Sequence, residues 1–149
     1  MGNSREEITA LQQAVKIKPG YINAYYSLGC SYNKIGYYRK AIDVFSRVIK
    51  LKPEYAQAHF NLGLAYGSLR RYREAILSFQ QAIKIKPDYA EAYFNLGLAY
   101  GKQDRCPEAI DAFLQGLKNK PDDPKGYFNL GLMYKKSDQP NKAIEAFEQ

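Results

Sequence analysis

Few residues in this 149-residue chain are equipped for covalent or metal chemistry. The single histidine, His59, has neither cysteine near it in sequence. Cys30 and Cys106 lie far apart with no CxxC spacing. A zinc site needs clustered ligands, and a nucleophilic site needs a base within reach of its attacking group; the sequence supplies neither pattern. No glycine-rich phosphate loop is present. The sequence therefore predicts no enzyme activity, no metal and no cofactor.

The side chains that recur at fixed spacing are those of recognition. Asn61, Asn95 and Asn129 stand 34 residues apart, with Ser27 one period earlier. A carboxamide carries two donors and an acceptor, so it can bond the N–H and C=O of an extended chain without reading its side chains. Directly before them stand Tyr26, Phe60, Phe94 and Phe128, and three residues after them Cys30, Leu64, Leu98 and Leu132. Lys34, Lys102 and Lys136 share a further column, joined by Lys135 and Lys125, against the single acid Glu91.

The same period organises the rest of the chain. Pro19, Pro53, Pro87 and Pro121 each end a helical pattern, because proline cannot continue a helix and turns the chain. With repeats starting at Ile22, Ala56, Ala90 and Pro124, Leu-Gly always fills positions seven and eight, as in Leu62-Gly63. Tyrosine holds position eleven, Ala-Ile positions twenty and twenty-one, and Phe position twenty-four. The 3.6-residue periodicity predicts a first helix (A) and a second helix (B) per repeat: 22–34, 39–51, 56–68, 73–85, 90–102, 107–119 and 124–136, with partial helices at 5–18 and 140–149. Glycine at position eight lets the paired helix approach, with Ala at twenty expected as the matching small residue. Glycine is replaced at the hairpin by Arg70, Asp104 and Asp138 where the first repeat has Gly36, which should strain or remodel a left-handed turn.

This pattern strongly resembles the tetratricopeptide repeat family over essentially the whole chain. The resemblance implies an all-α, right-handed superhelix of helix hairpins. It divides the chain into the second helix of a partial repeat (5–18), repeats at 22–55, 56–89 and 90–123, and a truncated repeat at 124–149, and the chain is expected to be a piece of a longer solenoid. In that family helix A lines the concave wall. The implied peptide-binding set is then Asn61, Asn95, Asn129, Ser27, Tyr26, Phe60, Phe94, Phe128, Leu64, Leu98, Lys34, Lys102, Lys125 and Lys136. The Asn-Leu-Gly tripeptide is similar to the repeat region of O-linked N-acetylglucosamine transferases, whose asparagines hold substrate and adaptor peptides. The carboxylate clamp of chaperone adaptors is not matched, since Tyr26 and Cys30 occupy its lysine and asparagine positions.

The resulting expectation is a cytoplasmic scaffold that binds an extended acidic or apolar protein segment, with the targeting region of a larger enzyme such as a glycosyltransferase as the alternative. The formal charge of +7 raises nucleic acid as a partner. A largely aromatic and aliphatic helix A wall argues against a specific RNA reader. No apolar run reaches the ~18 residues of a membrane span. His59 occupies the column of Tyr25, Tyr93 and Tyr127 and reads as a core substitution. The eight lysines that precede the prolines, such as Lys50 and Lys52, complement helix C-termini. Ile8, Leu11 and Val15 at one end, and Ile144 and Phe147 at the other, are expected to be uncovered and to support end-to-end self-association.

Overall fold

In a computed structural model, which describes residues 2–149 and the side chains from Arg5 on, the chain forms nine helices and no strand among the described residues. They are α1 (Gly2–Ile17), α2 (Ile22–Lys34), α3 (Tyr38–Leu51), α4 (Ala56–Ser68), α5 (Tyr72–Ile85), α6 (Ala90–Gly101), α7 (Cys106–Asn119), α8 (Pro124–Lys136) and α9 (Pro140–Phe147). Each helix packs on the next, and the A helices α2, α4, α6 and α8 touch in succession along one side. This is the all-α superhelical array of hairpins that the repeat predicts. Helices α3, α5 and α7 begin one residue earlier than the periodicity alone indicates.

That earlier start follows from the turn before each B helix. Gly36, Arg70, Asp104 and Asp138 all adopt positive φ, at 80°, 59°, 59° and 55°. The N–H of the following residue then reaches back to the carbonyl of the repeat tyrosine: Tyr37 to Tyr32 at 2.9 Å, Arg71 to Tyr66 at 2.9 Å, Arg105 to Tyr100 at 3.1 Å and Gln139 to Tyr134 at 3.0 Å. This six-to-one bond closes the end of helix A. Loss of glycine therefore leaves the turn unremodelled; three repeats hold a non-glycine residue in the left-handed region.

The tightest packing is between helix A and helix B of one repeat. Side chains on the B face at positions twenty and twenty-four lie one turn apart. Position eight has to be glycine because the phenylalanine ring lies on its Cα. A Cβ built on Gly29, Gly63, Gly97 or Gly131 would stand 2.7, 2.6, 2.9 or 2.4 Å from Phe45, Phe79, Phe113 or Phe147 respectively. The partner of the glycine is thus the phenylalanine of position twenty-four, and not Ala at twenty as the sequence reading expected. Ala41, Ala75 and Ala109 are fully buried beside it.

Neighbouring repeats are joined by position twenty-one and by the aromatic residues of the loops. Ile76 lies in a cluster with Leu96 and Tyr100 of the following helix A. By the same register Ile8 is buried with Leu28 and Tyr32, while Leu11 and Val15 are half-buried against that cluster. The expectation that all three lie uncovered is corrected: the isoleucine column packs forward onto α2. At the other end Ile144 and Phe147 are 57% and 44% exposed.

Three loop lysines do more than complement a helix terminus. Lys18, Lys52 and Lys86 sit 5.5, 5.1 and 5.0 Å from the ring centres of Tyr21, Tyr55 and Tyr89, three residues on. Where the fourth loop has Asp123 in place of tyrosine, Lys120 pairs with its carboxylate at 2.9 Å. Asp123 Oδ1 also accepts the Gly126 N–H at 2.8 Å and caps α8. With that tyrosine absent, Phe94 turns into the seam between repeats three and four. Its ring fills the space that a Cβ on Gly116 or Gly126 would need, at 2.4 and 2.9 Å.

Glycines along one helix should respond oppositely to the same substitution. Gly63→Ala should cost about 1–3 kcal/mol by overpacking against Phe79. Gly67→Ala, where a Cβ meets nothing within 4 Å, should stabilise by up to about 1 kcal/mol. Urea unfolding of both variants measures the difference, and equal effects would contradict the ring-on-backbone contact.

Candidate peptide-binding groove

The A-helix wall presents the sequence-predicted residues in unequal ways. Asn61, Asn95 and Asn129 are half-buried, and each Nδ2 donates to the carbonyl four residues back: Gln57 at 2.8 Å, Glu91 at 2.8 Å and Lys125 at 2.9 Å. Only the amide nitrogen can donate to a carbonyl, so this bond fixes the flip of the carboxamide. The Oδ1 atoms have no bond among the described residues. Asn61 Nδ2 additionally donates to Tyr26 Oη at 3.1 Å. Ser27 at the same column is exposed.

The aromatic column is mostly structural. Tyr26 stacks on Tyr55 at 5.0 Å and meets Phe45 edge-on at 6.0 Å. Phe60 lies 5.0 Å from Tyr89 and 5.8 Å from Phe79. Phe94, packed over Gly116 and Gly126, belongs to the inter-repeat seam and not to an open wall. Phe128 alone of the four is substantially open, 57% exposed beside Phe147. Leu64 is half-buried, whereas Leu98 and Leu132 are exposed.

Lys34, Lys102 and Lys125 extend into solvent. Lys136 is bonded to Asp104 of the preceding repeat, so the lysines are opposed by more than Glu91 alone. That pairing holds the exposed Asp104 carboxyl below its usual range.

Leu64, Asn95, Leu98 and Lys102 come together around a cavity of about 290 Å³ between α4 and α6, with Gly67 and Tyr72 completing it. Neither Gly67 nor Tyr72 is among the binding residues the sequence predicts. The available signal was the position-twelve column, which reads Asn33, Gly67, Gly101 and Lys135. A broader hollow of about 720 Å³ lies on the B-helix side near Arg73, Leu77 and Arg105. Part of its polar lining is already engaged: Arg105 pairs with the nearby Glu108 at 2.7 Å and covers the Tyr100 ring, whose hydroxyl accepts from Gln80 at 3.0 Å. The smaller cavity is the better candidate because it gathers four of the sequence-predicted residues on the A-helix wall, with Lys102 in no ion pair and the Asn95 oxygen in no hydrogen bond among the described residues.

Burial acts on two of the groups with reactive potential. Burial pushes the Cys30 thiol up, against a weaker opposing effect of Tyr26. Burial, followed by the neighbouring Cys30, raises the Tyr26 phenol above its ordinary value. His59 is half-buried, with Nε2 2.9 Å from the Pro53 carbonyl of the preceding loop, so it is held at the surface of the stack and not in its core. Among the described residues no three His, Cys, Asp or Glu side chains cluster as a metal site, and no helix is long and apolar enough to cross a membrane.

A helical hairpin array with an open A-helix wall defines a protein-interaction scaffold. TPR repeat models match residues 31–70 and 68–104, and tetratricopeptide repeat models match 90–123 and 112–145. The chain belongs to the tetratricopeptide repeat family. Among solved structures it is similar to a crystal structure of MamA, at 28% identity and a TM-score of 0.96 over 99% of this chain and 86% of that one. It is also similar to MamA 41-end from Desulfovibrio magneticus RS-1, at 26% identity, TM-score 0.92, 99% and 83% coverage. The fold is shared with YrrB, described as a TPR protein with an unusual peptide-binding site, at 21% identity, TM-score 0.85, 99% and 76% coverage. No curated protein matches the chain in sequence.

A raised thiol pKa leaves less thiolate at a given pH, and thiolate is the species that alkylates. Cys30 should therefore react with iodoacetamide more slowly than free cysteine between about pH 7 and 8.5, the ordinary thiol pKa being ~8.5. Mass spectrometry of the Cys30 peptide over time measures this; a rate equal to the free thiol at pH 8 would contradict it.

Proposed function

We propose that this chain is a non-catalytic scaffold that holds an extended segment of another protein along its A-helix wall. The observation that carries the reading is the repeated amide geometry of Asn61, Asn95 and Asn129. Each commits an amide N–H to its own helix, which turns the side-chain oxygen outward as one of a ladder of acceptors one repeat apart. Peptide N–H groups are the matching donors. Leu98, Leu132 and Phe128 add exposed apolar contacts, and Lys34, Lys102 and Lys125 favour an acidic ligand. YrrB's peptide-binding site gives the reading a precedent within the fold.

Single-stranded nucleic acid fits less well. Bases bind by stacking on free aromatic faces, and the faces of Tyr26 and Phe60 are occupied by Tyr55 and Tyr89. The free thiols Cys30 and Cys106 suit a reducing, cytoplasmic setting. End-to-end association of copies belongs to this proposal through the C-terminal face, where Phe128, Ile144 and Phe147 are exposed. Its N-terminal counterpart is reduced to Ile17 and the half-buried Leu11 and Val15.

Replacing Asn61, Asn95 and Asn129 together by alanine should leave the melting temperature nearly unchanged. Affinity for peptides selected on the wild-type chain should weaken by at least about 1 kcal/mol, the net value of one hydrogen bond. Unchanged affinity would remove the acceptor ladder from the function. For self-association, sedimentation velocity should show mass rising with concentration and Ile144→Glu suppressing the rise; a strictly monomeric wild type would end that part of the proposal.

A further inference from the structure

The A helices meet along three equivalent seams, and the chain fills two of them. Between α2 and α4, Asn33 at position twelve reaches across and donates to the Asn61 carbonyl at 3.1 Å. Between α6 and α8, position twelve is Gly101, but Met133 lies over it, its Sδ 3.1 Å from where a Cβ would stand. Between α4 and α6, position twelve is Gly67 and the residue corresponding to Met133 is Ala99. Nothing comes within 4 Å of a Cβ on Gly67, and the cavity of about 290 Å³ results.

We infer that this middle seam is a specificity socket that receives one apolar side chain of the bound segment, with an acidic residue of the same segment beside it. The inference rests on the peptide reading above and names its ligand class. Leu64 and Leu98 form apolar walls, so leucine, isoleucine, methionine or phenylalanine gains by burial there. The volume is about ten times the ~30 Å³ that a water molecule occupies in the liquid, ample for such a side chain and small beside typical drug-sized pockets. Lys102 lines the socket and no acid does. Its counterpart Lys136 is tied to Asp104, whereas Lys102 has no ion pair among the described residues. Asn95 lines the same cavity, and its Oδ1 is a side-chain acceptor for a peptide N–H next to the anchor.

The experiment uses the full chain as bait for a phage-displayed library of random 12-residue peptides, followed by fluorescence anisotropy on synthetic copies of the selected sequences. The expected consensus is a single Leu, Ile, Met or Phe with Asp or Glu within a few positions. Two substitutions close the socket from opposite sides: Gly67→Leu, and Ala99→Met, which copies the chain's own filling of the next seam. Each should weaken binding about tenfold or more while thermal melting stays at or above the wild-type value. Lys102→Glu should weaken the acidic peptides and spare variants with the acid replaced by glutamine. Selected peptides without a common apolar residue, or undiminished binding by both filled variants, would overturn the socket. No selected peptides at all would overturn the peptide reading itself. Loss with Gly67→Leu but not with the triple asparagine variant would keep the socket and discard the backbone ladder.

Discussion

The structure depends on a phenylalanine ring laid against the backbone of the facing helix. Gly29, Gly63, Gly97 and Gly131 give up side chains so that Phe45, Phe79, Phe113 and Phe147 can lie within van der Waals contact of Cα. Glycine within a helix costs roughly 1 kcal/mol, and burial of a phenylalanine side chain returns about 1.5–3 kcal/mol. Because the contact lies within one repeat, each hairpin carries its own closing interaction, and the array is built by stacking hairpins already set at a common spacing.

Stacking is then a matter of aromatic neighbours. In repeats one and two the ring at position five contacts both its own position-twenty-four phenylalanine and the tyrosine of the next loop, which in turn lies near a lysine. The junction of repeats three and four changes four features of this set. Asp123 stands for tyrosine, an ion pair replaces the cation–π contact, Phe94 turns inward, and Gly116 and Gly126 make room for it. The departures compensate one another sterically and leave the junction packed.

With Tyr26, Phe60 and Phe94 committed to packing, the wall available to a partner consists of amide oxygens, leucine side chains, lysines and the open Phe128. Burial pushes up the pKa of the thiol and the phenol nearest to it. The contrast between filled and open seams is what distinguishes one stretch of this wall from another.

The helices, their pairing and the wall columns were legible in the sequence because a 34-residue period places equivalent residues in equivalent surroundings. The positions of Leu-Gly, Ala-Ile and proline each have a steric meaning that a repeated pattern makes visible. Legible too were the candidate residues as columns. Periodicity could not say which atom of Asn95 is free, since that follows from a bond to the Glu91 carbonyl. Nor could it say that Phe94 leaves its column, that Lys136 is paired with Asp104, or that the partner of Gly63 is Phe79 and not Ala75. The last three are decided by distances between residues in different helices or repeats, and such distances are set only when all the hairpins pack at once. The open seam at Gly67 is the clearest case: the same glycine at position 101 makes no cavity, because a methionine from another repeat fills it.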